Sequence, residues 1–523
     1  MAAALVLTAS FRFLAMNGFS NDHFLHLAGA QQMLFGDWPT RDFADPGLPL
    51  MYGASALAQV LLGHTLFAEA VLVSVAFGLA AALTALAALE LTSSVVLALV
   101  ATGLEVAIVP RTYGYPKVLL YAAGFLLFLQ YVRAPGTWRL VAVAAGAAAA
   151  FLFRHDHGLY LALGGALAIA LTPAPRWQDS ARRTALFAGV VALLLAPYLL
   201  YVQAYGGLWT YVRTGMEFSA REFQRQGRLW PSPFGGDAEP TQVFALYLFQ
   251  VIPLAAAAVV LARWRGGGAR SVAARVLPVA VVAVLVNASF LRDPLNTRLA
   301  DAIAPAALLG VWLVSRAWSV TRLRAAWVSI SAAVLLAAGY SVAVIGNTAE
   351  EFDRMGLGGD WSRLPARVQA QTADLRERFS ARQMPTAVAA GLKPFIEYLD
   401  RCTLASDRLL LAGFLPEVAY FARRPFAGGQ STFVDGYYGS GEDQRRVVER
   451  LGRQSVPFML SREEDAAEFD AAFPIVAGYI RSRYHPMAKV PVDQETVVVI
   501  QVDAGLTPAG VDARTGWPCF LPR

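Results

Sequence analysis

The chain has 523 residues, of which 56% are hydrophobic and only 16% charged, with a net charge of +6 at neutral pH. A soluble domain carries about a quarter of its residues as charges, so this chain is too short of polar surface to be a large soluble protein. The excess of basic residues does not point to nucleic acid, because it sits in short loops between apolar runs, where membrane orientation rules put it.

The first run, residues 2–18, lacks the basic start and small-residue cleavage site of a signal peptide, and Arg12 interrupts it. It is expected to be a retained membrane helix, with Arg12 snorkelling or facing the bundle interior. The further runs are 65–90, 92–109, 117–133, 139–153, 158–172, 183–204, 242–262, 276–291, 299–317 and 323–346. A span takes ~20 residues, so about eleven transmembrane helices are expected. With a cytoplasmic N-terminus, the segments "VRAPGTWR", "TPAPRWQDSARR", "ARWRGGGARSVAAR" and "SRAWSVTRLR" all fall in the cytoplasm, as the positive-inside rule asks. The other side receives residues 19–64, "RTYGYPK", "RHDH", the segment around 205–241, "RDPLNTR" and the C-terminal part.

Beyond residue 347 the pattern changes to short strands alternating with amphipathic helices, as in "DRLLLAGFLPEVAYFARRPFAGG" and "QETVVVIQVD". The reading is a transmembrane domain over 1–346 and an extracytoplasmic α/β domain over 347–523. The fold class is thus an α-helical polytopic membrane protein with a C-terminal soluble α/β domain. Cys402 and Cys519 are the chain's two cysteines. Both lie in that second domain, where an oxidising compartment would let them pair, and two separate buried thiols are the alternative.

Residues 20–50 hold four carboxylates, Asp22, Asp37, Asp42 and Asp45, together with His23 and His26. Ser20 or Asn21 suits an N-cap, and a helix is expected to run from there to Gly36. Asp22 falls in its first turn, where the helix dipole favours negative charge. "GDWPTRDFADPGLPL" then makes a proline-rich turn, and "MYGASALAQVLLG" reads as an interfacial helix leading into the next span.

This arrangement resembles the GT-C class of membrane glycosyltransferases, in the bacterial branch related to protein O-mannosyltransferases and lipid A aminoarabinose transferases. In that branch the first extracytoplasmic loop opens on an acidic pair, here Asn21-Asp22. A G-x-W/Y-P stretch follows, here Gly36-Asp37-Trp38-Pro39, then Arg41-Asp42-Phe43 and Pro46-Gly47-Leu48-Pro49-Leu50. Asparagine at the first acidic position departs from the pattern and leaves Asp22 alone to act as a base. "FLPEVAYFARRPFAGG" also looks like a segment common in the soluble domains of such enzymes.

The resemblance implies an inverting glycosyltransferase that takes a sugar from a polyprenyl-phosphate donor. Its acceptor would be an extracytoplasmic glycan, lipid or protein in cell-envelope synthesis, and its site would lie at the outer face of a bacterial plasma membrane. Prenyl phosphate is a good leaving group, so the reaction needs a carboxylate for the acceptor proton and fixed cations for the departing phosphate. Asp22 is the candidate base, and Asp42 and Asp45 are candidates to orient sugar or acceptor. Arg111, Lys117, Arg154, Arg292 and Arg298 are the candidate phosphate ligands, with Asp156 beside them; arginine's planar fork suits phosphate. Snorkelling to lipid headgroups is the plainer account of any one of these cations. Some GT-C enzymes use a divalent ion, and His23, His26, His155 and His157 are the histidines placed to serve one. Neither pair has a diagnostic zinc spacing, and hydrogen-bonding roles are favoured. Glu105 and Asp301 fall inside spans, where an acid is a functional candidate or one half of an ion pair. The aromatic and arginine-rich segment 205–240 is placed to close over a bound donor or acceptor, or to form an interfacial aromatic belt. A flippase for lipid-linked sugars and a non-catalytic glycan-binding membrane component are the rival readings. The first predicts inverted repeats, and no internal repeat is detected.

Overall fold

The structure, a computed structural model, describes every residue except 226–229, 234–237, 264–268, 290–298, 321–323, 356–360, 381–382, 495 and 522–523. Every apolar run of the sequence is a helix. In chain order these are Ala2–Leu14, Leu66–Thr92, Val95–Ala107, Tyr115–Arg133, Thr137–Phe153, His155–Leu171, Trp177–Tyr205, Pro240–Ala262, Ala269–Ser289, Ile303–Trp318 and Arg324–Ile345. Among the described residues seven helices are long and apolar enough to cross a membrane, some taken with their leading turn. Ala2–Leu14, Val95–Ala107, Thr137–Phe153 and His155–Leu171 have 13, 13, 17 and 17 residues, short of a full crossing at 1.5 Å per residue. Helix is the only local choice here, since a segment in hydrocarbon must satisfy its own backbone polar groups.

The chain divides into two compact units. The helical unit comprises residues 1–17, 70–199 and 224–373. Its core holds Tyr121, Phe125 and Phe128 with Trp312 and a large share of alanine, the small residue that lets membrane helices approach closely. Pro197, Pro253 and Pro278 lie inside helices of this unit, a placement that packed membrane helices tolerate. The helices Thr348–Arg354 and Leu364–Arg378 follow the last apolar helix.

The second unit comprises residues 18–69, 200–223 and 374–523. It contains a four-stranded sheet: β1 (Leu409–Ala412), β2 (Phe458–Arg462), β3 (Tyr484–Pro491) and β4 (Val497–Asp503), in the order β1-β2-β4-β3. β1 and β2 are parallel, and the other two pairings are antiparallel. All four residues of β1, Leu-Leu-Leu-Ala, are buried, as a strand covered on both faces should be. β5 (Gly510–Val511) and β6 (Pro518–Cys519) form a small ribbon. A disulfide joins Cys402 to Cys519, with Cα atoms 4.6 Å apart, and ties the end of helix Lys393–Cys402 to that ribbon.

Residues 19–64 are built into this α/β core. Ala28, Phe43 and Tyr52 share one buried cluster with Leu392, Phe395, Phe426 and Phe458. The Phe43 and Phe426 rings meet edge-on at 5.6 Å. Backbone groups near helix Pro416–Ala422 are satisfied from the loop: the Gln31 amide donates to the Ala419 carbonyl at 2.7 Å, and Phe426 N–H donates to Gln32 Oε1 at 3.0 Å. Burying each such aromatic contributes on the order of 2–3 kcal/mol.

Candidate active site

In the second unit, helix Asn21–Leu34 begins at Ser20 and stops before Gly36, whose φ of +95° ends it. Asp22 stands in its first turn, exposed. The next residue turns inward. His23 is fully buried, and its Nε2 bonds Glu69 Oε1 at 2.8 Å; the Ser55 hydroxyl donates to the same oxygen at 2.9 Å. Helices Asn21–Leu34, Pro49–Leu62 and the start of Leu66–Thr92 are thereby joined. His26 Nδ1 meets the Met51 sulfur at 2.8 Å, and since sulfur only accepts there, the ring nitrogen is the donor.

The loop's other carboxylates hold its shape. Asp42 accepts from Trp38 N–H and Arg41 Nε, both at 2.8 Å. Asp45 is buried, and its Oδ1 accepts the N–H groups of Gly47 and Leu48, both at 2.8 Å. This is the Asx-type turn that lets the chain reverse before Pro49. Tyr211, on helix Leu208–Arg225, brings its hydroxyl to 3.5 Å from Asp45 Oδ2, and the Tyr201 hydroxyl donates to the Pro39 carbonyl at 2.7 Å. The 205–240 segment thus reaches this loop through an aromatic hydroxyl. Asp37 accepts from Arg408 at 2.7 and 3.2 Å and from Gln32 at 2.6 Å.

In the helical unit, ionisable side chains gather at one end of the helices Tyr115–Arg133, His155–Leu171 and Ile303–Trp318. Lys117 and Asp301 are both buried and form a salt bridge. Arg154 grips Asp156 with a bidentate fork at 2.8 to 3.1 Å. His157 bonds the Tyr121 hydroxyl, and His155 stacks on Phe151 at 4.2 Å. The charges of Lys117 and Asp301 are felt at Asp156 and Arg154 respectively, so the pairs form one electrostatic group. Arg111 is exposed, 3.1 Å from the Tyr113 hydroxyl.

Local backbone explains this crowding. Val109 has a φ of +47°, a conformation β-branched residues avoid at a cost on the order of 1–2 kcal/mol. The Pro110 carbonyl beside it accepts from Arg12 Nη2 at 2.6 Å, so the buried Arg12 anchors the strained turn. Gly158 sits where a Cβ would fall 2.2 Å from the Phe151 Cα, and Gly114 where it would fall 3.1 Å from Asp301 Oδ1. At Gly158, within helix His155–Leu171, a side chain would collide with the Phe151 backbone, and at Gly114 it would press on Asp301.

The sequence-derived candidates thus fall into separate groups. Asp22, Asp42, Asp45, His23 and His26 belong to the second unit, and Arg111, Lys117, Arg154, Asp156, His155 and His157 to the helical unit. Arg292 and Arg298 lie outside the described residues. Glu105 accepts from the Thr84 hydroxyl, and Asp301 pairs with a lysine rather than an arginine. Glu69, Tyr121, Tyr211 and Arg408 are site or framework residues that the sequence did not single out. A buried acid in an apolar run, Glu69, is the one that hydropathy alone marks. Among the described residues no three His, Cys, Asp or Glu side chains converge as a metal ion requires.

No protein-family model matches the chain, and no curated protein matches it. Among solved structures, it matches the crystal structure of ArnT from Cupriavidus metallidurans bound to undecaprenyl phosphate. The TM-score is 0.53 at 14% identity, over 95% of this chain and 96% of that one. The chain shares the fold of ArnT. The likeness covers the apolar helices and the α/β region alike. At this identity it is a likeness of fold, and residue roles rest on the chemistry of each group.

Proposed function

We propose that the protein is an inverting glycosyltransferase of the bacterial plasma membrane that uses a polyprenyl-phosphate sugar, with Asp22 as its base. The observation that carries this reading is the fold shared, over nearly the whole chain, with a protein crystallised with undecaprenyl phosphate. Asp22 adds to it as the exposed carboxylate at the helix start where the GT-C pattern has its acidic pair. In the reaction, an acceptor hydroxyl attacks the anomeric carbon and gives its proton to Asp22. The bond from that carbon to the phosphate oxygen breaks, and the oxygen leaves with the electron pair. Its growing charge calls for fixed cations, and Lys117, Arg154 and Arg111 are the described residues suited to that role. Asp301 and Asp156 hold Lys117 and Arg154 in place beforehand, so little reorganisation is needed as the charge appears. Asp45 fixes the turn and, with Tyr211, presents polar atoms to a sugar or acceptor. The site is assigned to the extracytoplasmic side because the arginine-rich short loops alternate to the other.

The test is sugar transfer by the purified full-length protein in detergent. It is supplied with a panel of polyprenyl-phosphate sugars and a membrane extract, and wild type is compared with Asp22→Asn. Transfer or donor hydrolysis by wild type, lost in a folded variant, supports the reading. Activity that survives the substitution removes Asp22, and no reaction across the panel removes the transferase.

A further inference from the structure

The helix Tyr115–Arg133 carries Lys117 near its start; 16 residues later, roughly 24 Å along the axis, its other end borders a cavity of about 670 Å³. The polar wall of this cavity consists of Glu90, Ser93, Gln130, Arg133 and Arg275, with Ser271 beside them. Glu90 lies in the last turn of helix Leu66–Thr92, and Ser271 and Arg275 in the first two turns of helix Ala269–Ser289, so the pocket lies near the ends of three candidate membrane spans. Leu86, Leu89 and Leu126 continue from the polar rim along those spans as an apolar wall.

The charges do not balance. Glu90 accepts from Arg133 at 2.8 Å, and Arg275 reaches both its carboxylate, at 3.3 Å, and its backbone carbonyl. One carboxylate therefore serves two guanidinium groups. Arg316 lies close enough to feel both Arg275 and Arg263 as like charges. Among the described residues the buried Nε–H group of Arg275 has no hydrogen-bond partner, nor has that of Arg316, which lies outside the cavity lining. A buried donor left unmade is unfavourable, and like charges held close together repel. An anion with several acceptor oxygens in the cavity would meet the spare donors of Arg133 and Arg275 and offset the positive charge around them.

We propose that this cavity binds the phosphodiester headgroup of an anionic phospholipid, with an acyl chain lying along Leu86, Leu89 and Leu126. Arg133 and Arg275 would hold two phosphate oxygens through the donors that Glu90 leaves over, and Ser93 and Gln130 would meet the glycerol. The apolar wall selects a lipid over a free phosphate, because an inorganic ion would leave it bare. Basic pockets between spans at a membrane face are common headgroup sites. The proposal concerns the helix ends away from Lys117 and does not depend on the glycosyltransferase reading.

The experiment uses the delipidated full-length protein in neutral detergent. Its unfolding temperature and lipid retention are followed on addition of phosphatidylglycerol, phosphatidylcholine or inorganic phosphate. Phosphatidylglycerol is expected to raise the unfolding temperature by several degrees and to co-purify near one per chain, with no effect of the other two. Arg133→Gln, at a half-exposed side chain, should fold normally and weaken retention about tenfold, as loss of one charge-assisted hydrogen bond predicts. Arg275→Gln should weaken it further. Equal protection by phosphatidylcholine, equal protection by inorganic phosphate, or unchanged retention in a folded Arg133→Gln protein would each overturn the proposal.

Discussion

Asp301 and Asp22 both stand at the start of a helix, yet the two units treat them oppositely. Asp301 is buried, and Lys117 meets it with a salt bridge. Asp22 is exposed and makes no hydrogen bond or ion pair with a described residue. Around Lys117 and Asp301 the surroundings are apolar, where an uncompensated charge costs several kcal/mol, so these two come as a pair, while the partly exposed Arg154 and Asp156 are held by their bidentate fork. In the first-loop unit the buried Glu69 is met by His23 and Ser55, and the aspartates differ in how each is held. Asp37 is spent on Arg408, and Asp42 and Asp45 on turns. Asp22 has only the helix dipole to favour it and no side-chain partner among the described residues. The proposed base is thus the carboxylate without a partner, and the proposed phosphate ligands Lys117 and Arg154 are charges already held by one.

Four measurements would break or sharpen that contrast. The largest effect is expected at Asp22. Asparagine there should lower transfer by about 10²–10⁴, the usual worth of a general base, while the unfolding temperature stays at the wild-type value. A destabilised Asp22→Asn protein would mean that the carboxylate is framework after all. Next comes Lys117→Met, which leaves Asp301 buried and alone and should cost about 3–5 kcal/mol. Adding Asp301→Leu should return most of that stability without returning activity. A double variant no more stable than the single one would show that packing, rather than charge, dominates the pair.

The Asp37–Arg408 pair is only partly buried. Arg408→Met should therefore cost less, roughly 1–2 kcal/mol, read as a lower denaturant midpoint for the α/β unit. A smaller effect concerns pH. Burial, together with the Arg423 charge, lowers the His64 imidazole to about 4, below its usual 6.5. The folded state thus favours neutral His64. Its contribution is complete above about pH 6.5, falls as the pH drops from 6.5 toward 4, and is constant below that. The group is partly exposed, so the loss should be roughly 1 kcal/mol after solvent screening. His64→Phe, which keeps the stack on Tyr420, should flatten the dependence of the unfolding temperature between pH 7 and 5.

Much of the architecture was legible beforehand. All eleven apolar runs are helices because hydrocarbon leaves the backbone no other partner, and a local rule of that kind is readable from local sequence. The first-loop helix was readable for a similar reason: Ser20, the apolar Phe24 and Leu27, and Gly36 mark its start, face and end, although Leu34, on the same apolar spacing, is exposed. The pairing of Lys117 with Asp301, 184 positions away, was not readable. Nor was that of Asp37 with Arg408, 371 positions away. Such partners are chosen by how helices and strands pack, and no local periodicity records that choice.

The sequence by itself determined that the chain is a polytopic helical membrane protein with a C-terminal α/β region, and that its ionisable chemistry concentrates in the first loop and at a few helix ends. Those facts follow from hydropathy and helix-capping chemistry, which act over a few residues at a time. Only the tertiary structure decided that the first loop shares a core with the α/β region, through Phe43, Tyr52 and Phe426. It also decided which carboxylates are held by partners and which stands exposed. Burial and counter-charge are properties of neighbours in space, and the chain brings those neighbours from hundreds of residues away.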